Sequence, residues 1–124
     1  MTSIKVNRVY DPPEEGPNYR ILVDRLWPRG IKKEELNLDD WAKSIAPSTE
    51  IRKVFNHEPE AFKVFRKAYR RELDGNPEAE MFAKEIQGLL KDQSVTLLYA
   101  AKSREYNQAV VLKDWLEEHI NLKK

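Results

Sequence analysis

Two short apolar runs separated by a long helical stretch constrain this chain more than any other feature. YRILVDRL occupies residues 19–26 and SVTLLYA residues 94–100, and turn-forming residues bound both. Apolar runs of this length are typical of strands covered on both faces of a parallel sheet. A parallel pair needs a long crossover, and the helical periodicity between residues 31 and 91 provides one. The sequence therefore predicts an α/β protein.

A third strand is indicated near the start of the chain. IKVNRVY, residues 4–10, alternates apolar and polar residues and is rich in β-branched side chains, as in a partly exposed edge strand. The prolines and glycine that follow in DPPEEGPN predict a loop. We expect a small, mostly parallel sheet of about three strands, flanked by helices in a Rossmann-like layered arrangement, forming a single domain over residues 1–124.

Apolar residues recur at helical spacing in the rest of the chain. Short helices are predicted in 32–36 and 38–45, and a helix capped by Ser48 or Thr49 is predicted through residue 55. Three longer amphipathic helices are expected over 59–73, 77–90 and 107–120. Pro59 suits a first helical turn, and Gly75 suits a helix end.

The composition excludes several classes of protein and site. The 124 residues contain no cysteine, which removes disulfides, thiolate metal sites and a cysteine nucleophile. There is no apolar leader and no run of 18 apolar residues, so we expect a cytoplasmic protein with no membrane association. Lys plus Arg number 22 against 21 Asp plus Glu, a formal net charge of +1 that argues against general nucleic-acid binding.

Charged and aromatic residues follow both buried strands. DRLWPRG, residues 24–30, comes after the first and AAKSREYN, residues 100–107, after the second. Ligands of open α/β sheets bind outside the carboxyl ends of the strands, so we expect these two loops to form one site. Arg25 and Arg29 suit a carboxylate or phosphate, and the start of the last helix favours an anion. The other predicted contributors to ligand binding are Trp27, Gly30, Ser48, Tyr99, Lys102, Ser103, Tyr106 and Asn107.

Several of these residues also have a structural interpretation. Trp27 and Tyr99 suit packing as well as a ligand wall, and Asn107 suits a helix cap. Asp24 and Glu105 are the nearby candidates for proton transfer, although Asp24 also suits an ion pair with an arginine. The arginines themselves could pair with surface glutamates.

Other sequence features point to no cofactor or metal. His57 and His119 lack metal-ligand spacing, and no common nucleotide, hydrolase or zinc motif is present, so the cofactor stays unknown. A basic face formed by Lys63, Arg66, Lys67, Arg70 and Arg71 is typical of a solvated helix surface or an interaction surface. Oligomeric state cannot be read from these patterns.

Three functions fit the residues. The first is binding of, or catalysis on, a small anionic ligand between the two loops. The second is a nucleic-acid-associated module that uses the same arginines, with Trp27 or Tyr106 stacking on a base. The third is a protein-interaction domain whose surface is the charged helices between 59 and 91.

The segments YRILVDRLWPRG, IAPSTEIRKVFNHEP and VTLLYAAKSREYNQAVVL together resemble the short bacterial and archaeal branch of the family catalogued as domain of unknown function 488. The likeness runs from about Val6 to Leu116. It implies a compact α/β domain of unestablished activity whose characteristic residues lie in the two loops: Asp24, Arg25, Pro28, Arg29 and Gly30, then Ala100, Glu105, Asn107 and Ala109. Ala46, Pro47, Ser48, Thr49 and Glu50 look like a third signature, which the resemblance places beside the same pocket.

Departures from the family pattern limit what carries over. Relatives commonly have histidine where this chain has Tyr106, and a tyrosine with its usual pKa near 10 is a poor acid or base at neutral pH. Longer relatives have cysteine at the position of Tyr99 and a Cys-His pair at Asn107 and Gln108. Thiol chemistry is therefore not expected here.

Overall fold

The fold is built on a four-stranded, fully parallel sheet, in a computed structural model that describes residues 2–12, 18–55 and 58–120. The strands are β1 (Ile4–Arg8), β2 (Asn18–Leu22), β3 (Asp40–Trp41) and β4 (Ser94–Tyr99), in the order β1-β4-β2-β3. Ile21 of β2 lies opposite Leu97 of β4, and Val6 of β1 lies opposite the other side of Leu97. The predicted parallel pairing of the two apolar runs and the edge position of β1 are both confirmed.

The strand β3 corrects the prediction of a short helix over 38–45. Asp39 donates its backbone N–H to Arg20 O at 2.9 Å, and Ala42 donates to Leu22 O at 2.9 Å. A 3₁₀ turn at Lys43–Ile45 follows. The exposed edge of β2 offers hydrogen bonds to residues 39–42, and these bonds override the helix-like spacing of the apolar residues. The described sheet therefore has four strands, rather than about three.

Five helices complete the described secondary structure: α1 (Lys33–Leu36), α2 (Thr49–Phe55), α3 (Phe62–Asp74), α4 (Pro77–Leu89) and α5 (Gln108–Ile120). A 3₁₀ turn at Pro59–Ala61 leads into α3. Asn76 caps α4 by accepting the N–H of Glu78 at 3.0 Å. The three long helices were thus predicted within a few residues. No helix within the described residues has the length and apolarity needed to cross a lipid bilayer.

The sheet buries its two faces to very different extents. Ile21 and Leu97 point towards α3, α4 and α5 and join a large apolar core, which also contains the predicted stripe Phe65, Tyr69 and Leu73. Leu22 and Leu98 point the other way, because successive strand residues alternate between faces. They join a small cluster closed by α1 and the loops, whose further members are Val9, Trp27, Ile31, Leu36, Leu38 and Trp41.

Candidate functional site

The parallel pairing of β2 and β4 brings the two predicted loops together at the carboxyl edge of the sheet. One carboxylate oxygen of Asp24 accepts the backbone N–H of Ala100 at 2.9 Å. The other oxygen accepts a hydrogen bond from the side-chain amide of Gln108, the first residue of α5. Asp24 therefore ties the end of β2 to both the end of β4 and the start of the last helix.

Burial dominates the electrostatics of Asp24. It raises the pKa of the carboxyl group from its ordinary value of 3.8 to about 6, even though the Ala100 N–H, the positive charge of Arg52 and the Gln108 amide act in the opposite direction. The backbone carbonyl of Asp24 is also engaged, because it accepts the indole N–H of Trp41 at 2.7 Å. Asp24 therefore changes its protonation state slightly below neutral pH.

The two arginines of the first loop have different surroundings. Arg25 donates from Nε to Pro47 O at 3.2 Å and from Nη2 to Ala46 O at 3.3 Å. These acceptors are neutral, so the charge of the guanidinium is not cancelled. Arg29 is exposed, and its side chain has no hydrogen-bond or ion-pair partner among the described residues. Arg25 is therefore held in position, whereas Arg29 is free to meet a ligand.

Ser103 and Asn107 shape the second loop. The Ser103 hydroxyl accepts the backbone N–H groups of Glu105 at 3.2 Å and Tyr106 at 2.9 Å. Asn107 is 0 % exposed; its amide donates to Ser103 O, and its side-chain oxygen accepts the N–H of Val110, both at 3.0 Å. Of the two roles open for Asn107, the described geometry is that of a buried helix cap.

A third loop, following β1, also belongs to this edge and was missed in the sequence. The Tyr10 hydroxyl donates to the backbone carbonyl of Arg29 at 2.8 Å. Arg8 donates from Nε to Ala101 O at 2.8 Å, and its guanidinium lies 4.8 Å from the centre of the Tyr10 ring. The β1 loop thus contacts both of the loops that the sequence identified.

The β1 loop also neutralises one cation of the second loop. Arg104 Nη2 lies 2.8 Å from a carboxylate oxygen of Asp11 in an exposed ion pair. Lys102 and Glu105 are exposed and form no ion pair within the described residues. Lys102 therefore contributes a positive charge that Arg104 does not.

The three candidate aromatic walls lie in different places. Trp27 packs into the small cluster on the loop-covered face, where its indole N–H donates to Ile31 O at 2.6 Å. Its ring packs against that of Trp41 in a T-shaped arrangement, with ring centres 5.4 Å apart. Tyr99 is 2 % exposed, and burial raises the pKa of its hydroxyl. Tyr106 is 38 % exposed and packs edge-on against Phe62, with ring centres 5.2 Å apart. Only Tyr106, of these three, presents a substantial surface to solvent.

Gly30 and Ser48 support the edge through the backbone. Gly30 has a φ of +80°, a left-handed conformation that glycine adopts readily. Ser48 precedes α2; its N–H donates to a Glu72 carboxylate oxygen at 2.9 Å, while its hydroxyl accepts the N–H of Ile51 at 3.4 Å. Because Arg25 bonds the carbonyls of residues 46 and 47, the third signature borders the site.

A cavity of about 340 Å³ opens on the side of Arg25 that faces α3 and α4. The buried hydroxyl of Tyr69 lies close by and donates to Ile45 O at 2.7 Å. The residues that line the cavity are Arg25, Ser44, Ile45, Ala46, Glu72, Leu73, Gly75, Asn76 and Pro77. A ligand bound by Arg25 can therefore extend away from the Asp24 junction.

Gln108, Arg52 and Tyr10 are the site residues that the sequence did not identify. Gln108 directly follows Asn107, the predicted helix cap. A polar side chain in this first helical turn can reach back to the end of a neighbouring strand, and this was the signal in the sequence that could have identified it. Arg52 acts on Asp24 from α2, and Tyr10 reaches Arg29 from the loop after β1. Their roles depend on tertiary contacts. His57 lies outside the described residues. The ring of His119 stacks on that of Trp115, with ring centres 3.9 Å apart.

Comparison with known proteins places the chain in a family. Residues 3–124 match the model described as the inactive DUF488-N3 subclade. The chain belongs to the DUF488 family. The resemblance inferred from the three motifs is thereby confirmed, and the family model describes this subclade as inactive.

Curated DUF488 relatives carry no functional name. The chain is 51 % identical over 114 residues to the uncharacterized protein YeaO of Escherichia coli K12, covering 92 % of this chain and 96 % of that protein. It is 42 % identical over 72 residues to the uncharacterized proteins Mb3100c of Mycobacterium bovis and Rv3073c of Mycobacterium tuberculosis H37Rv, covering 58 % of this chain and 61 % of each relative. No solved structure gives a significant match.

Proposed function

We propose that this DUF488 protein binds a small molecule bearing a carboxylate or phosphate at the carboxyl edge of its sheet, and that it does so without catalysing a reaction. The observation that carries the proposal is the junction at Asp24, which joins the loop with Arg25 and Arg29 to the loop with Lys102. Convergent cationic groups at the strand ends are what an anion site in an α/β sheet requires.

The charge balance at this edge supports an anionic ligand. Arg25, Arg29, Arg52 and Lys102 form no ion pair with any carboxylate among the described residues. Asp24 is the acidic group of this edge; burial disfavours its charge, and Arg52 is the cation that acts on it. Guanidinium groups bind carboxylates and phosphates through paired hydrogen bonds, so an anion can use Arg29 in full and the free part of Arg25.

Binding is favoured over catalysis by the hydrogen bonds of the candidate acids. Both carboxylate oxygens of Asp24 already accept hydrogen bonds from the protein. Glu105 is exposed, and its backbone N–H contributes to the turn at Ser103. The subclade's description as inactive agrees with a site that holds a ligand and performs no proton transfer.

Arg29 offers the cleanest test, because its side chain has no structural role in the described residues. We expect inorganic phosphate, pyrophosphate or a dicarboxylate to raise the melting temperature of the protein and to bind measurably by calorimetry. Arg29→Ala should weaken that binding at least about tenfold, which corresponds to the loss of about 1.4 kcal/mol. Arg66→Ala, which removes an exposed arginine from α3, is the matched control and should bind like the wild type.

Two results would overturn the proposal. One is the absence of binding by every small anion tested. The other is tight binding of short oligonucleotides that declines steeply with salt and needs the α3 arginines, because a nucleic-acid module would behave in that way.

A further inference from the structure

A second surface lies between β3 and α4, and its lining contains acidic and apolar residues but no arginine. It is a groove of about 450 Å³ whose floor is apolar and includes Ile45 and Phe82. Trp41 lines one side, and Met81 lines the other with 68 % of its surface exposed. We call this surface the α4 groove. An unbranched apolar side chain left this open at a groove is well suited to contact a partner.

Carboxylates surround the α4 groove. Glu78 and Glu85 flank Met81 on α4, three residues before it and four after it, and Asp40 faces them from β3. Asp40 and Glu85 both act electrostatically on Tyr19, so their charges converge at this edge of the sheet. None of these three acids forms an ion pair within the described parts of the chain.

A cation already sits against the aromatic side of the α4 groove. The ammonium group of Lys43 lies 4.0 Å from the centre of the Trp41 ring. This internal contact shows that the indole face accepts a positive charge. The three carboxylates around the groove outnumber the one lysine, so the groove keeps a net negative charge. The groove is therefore suited to an occupant that combines further cations with an apolar side chain.

The chain carries a surface of that composition on α3. Val64 is 59 % exposed, and Lys63, Lys67 and Arg71 lie around it on the outward side of the helix. These three cations have no ion-pair partner among the described residues, whereas Arg70 of the same helix pairs with Glu118 of α5. We call this surface the α3 face. It is the complement of the α4 groove in both charge and apolar character.

We propose that the α4 groove of one molecule receives the α3 face of a second copy, and that the exchange is reciprocal in a twofold symmetric dimer. Val64 of each copy would lie against Met81 of the other, and Lys67 and Arg71 would meet Glu78 and Glu85. A closed pair satisfies both surfaces at once, as expected for an isologous interface. Because the proposed contact joins exposed, oppositely charged side chains, salt should weaken it.

Charge reversal on each surface tests the pairing directly. The variant Glu78→Lys with Glu85→Lys makes the groove basic, and the variant Lys67→Glu with Arg71→Glu makes the α3 face acidic. We expect the wild type to form dimers in sedimentation equilibrium, and each variant alone to be monomeric, with its dimerisation weakened at least about tenfold. An equimolar mixture of the two variants should form heterodimers, because every contact in the mixed pair joins opposite charges.

Control variants separate pairing from a general charge effect. Glu34→Lys with Asp92→Lys, and Lys33→Glu with Lys91→Glu, make the same net changes on exposed residues outside both surfaces and should dimerise like the wild type. Circular dichroism checks that all variants are folded. A wild type that stays monomeric at millimolar concentration, or a mixture of the two variants that stays monomeric, would overturn the proposal. The anion site and its Arg29 test do not depend on this outcome.

Discussion

The candidate site has a buried floor and an exposed rim that differ in how their polar groups are satisfied. In the floor, the polar side-chain atoms of Asp24 and Asn107 are all hydrogen-bonded to other groups of the protein. On the rim, the charged side chains of Arg29 and Lys102 are exposed to solvent, and neither has a partner among the described residues. The same two loops supply both regions. The difference indicates that changes in the floor should alter the stability of the fold, whereas changes on the rim should alter ligand binding.

The largest effect is expected at Asp24. Its pKa of about 6 in the folded protein exceeds the ordinary value of 3.8, so the folded state holds this proton more tightly than the unfolded state. The stabilisation is full below about pH 4 and is lost as the pH rises to about 6, an upper limit of about 3 kcal/mol for this one group.

The variant Asp24→Asn isolates that contribution. Asparagine can still accept the Ala100 N–H, and the Gln108 amide can turn to present its oxygen. We expect the stability of the variant relative to the wild type to rise by as much as about 2 kcal/mol between pH 4 and pH 6, and to level off above pH 7. Urea denaturation at four pH values measures the difference. A difference that does not change with pH would mean that the carboxyl group titrates normally.

The buried cap at Asn107 should give the next largest effect. Asn107→Ala leaves the Val110 N–H and the Ser103 carbonyl without their described partner, at a cost of about 2 kcal/mol. Asn76→Ala, at the more exposed cap of α4, is the matched comparison and should cost about 1 kcal/mol. Thermal and urea denaturation of both variants measures the costs, and equal costs would show that burial adds nothing at Asn107.

Arg25 and Arg29 should show the smallest effects on stability and the clearest contrast. Arg25→Ala removes hydrogen bonds to two backbone carbonyls and should cost about 1 kcal/mol without ligand. Arg29→Ala should change the unliganded stability by less than about 0.5 kcal/mol. Melting temperatures of the two variants without ligand measure this contrast. A larger loss at Arg29 than at Arg25 would mean that the rim is part of the folded framework.

Most of the fold could be predicted because the sequence carries the relevant periodicities locally. The apolar runs at 19–26 and 94–100 defined β2 and β4, and the spacing of Phe65, Tyr69 and Leu73 defined the buried side of α3. β3 could not be found in this way. Its two residues form a strand because the edge of β2 offers hydrogen bonds, and that edge lies eighteen residues or more away in sequence from the residues that use it.

The candidate site was predictable in its position and much less so in its internal roles. The carboxyl ends of parallel neighbouring strands must share an edge, so the meeting of the loops that contain Asp24 and Ala100 followed from the strand assignments. The strand assignments did not determine which of the loop residues are exposed and able to face a ligand. Trp27 turns to the loop-covered face, and Tyr99 is buried, because the alternation and packing of the sheet decide where each side chain can fit.

By itself the sequence determined the α/β class, the parallel pair, the three long helices, the loops at the carboxyl edge and the family. The tertiary structure alone decided that Gln108 and Ala100 hold Asp24, that Tyr10 joins the site, and that Arg25 is anchored while Arg29 is free. The physical reason is that periodicity and turn preferences act between near neighbours in the chain. The burial and hydrogen bonding of a side chain depend on segments that come together only in the folded protein.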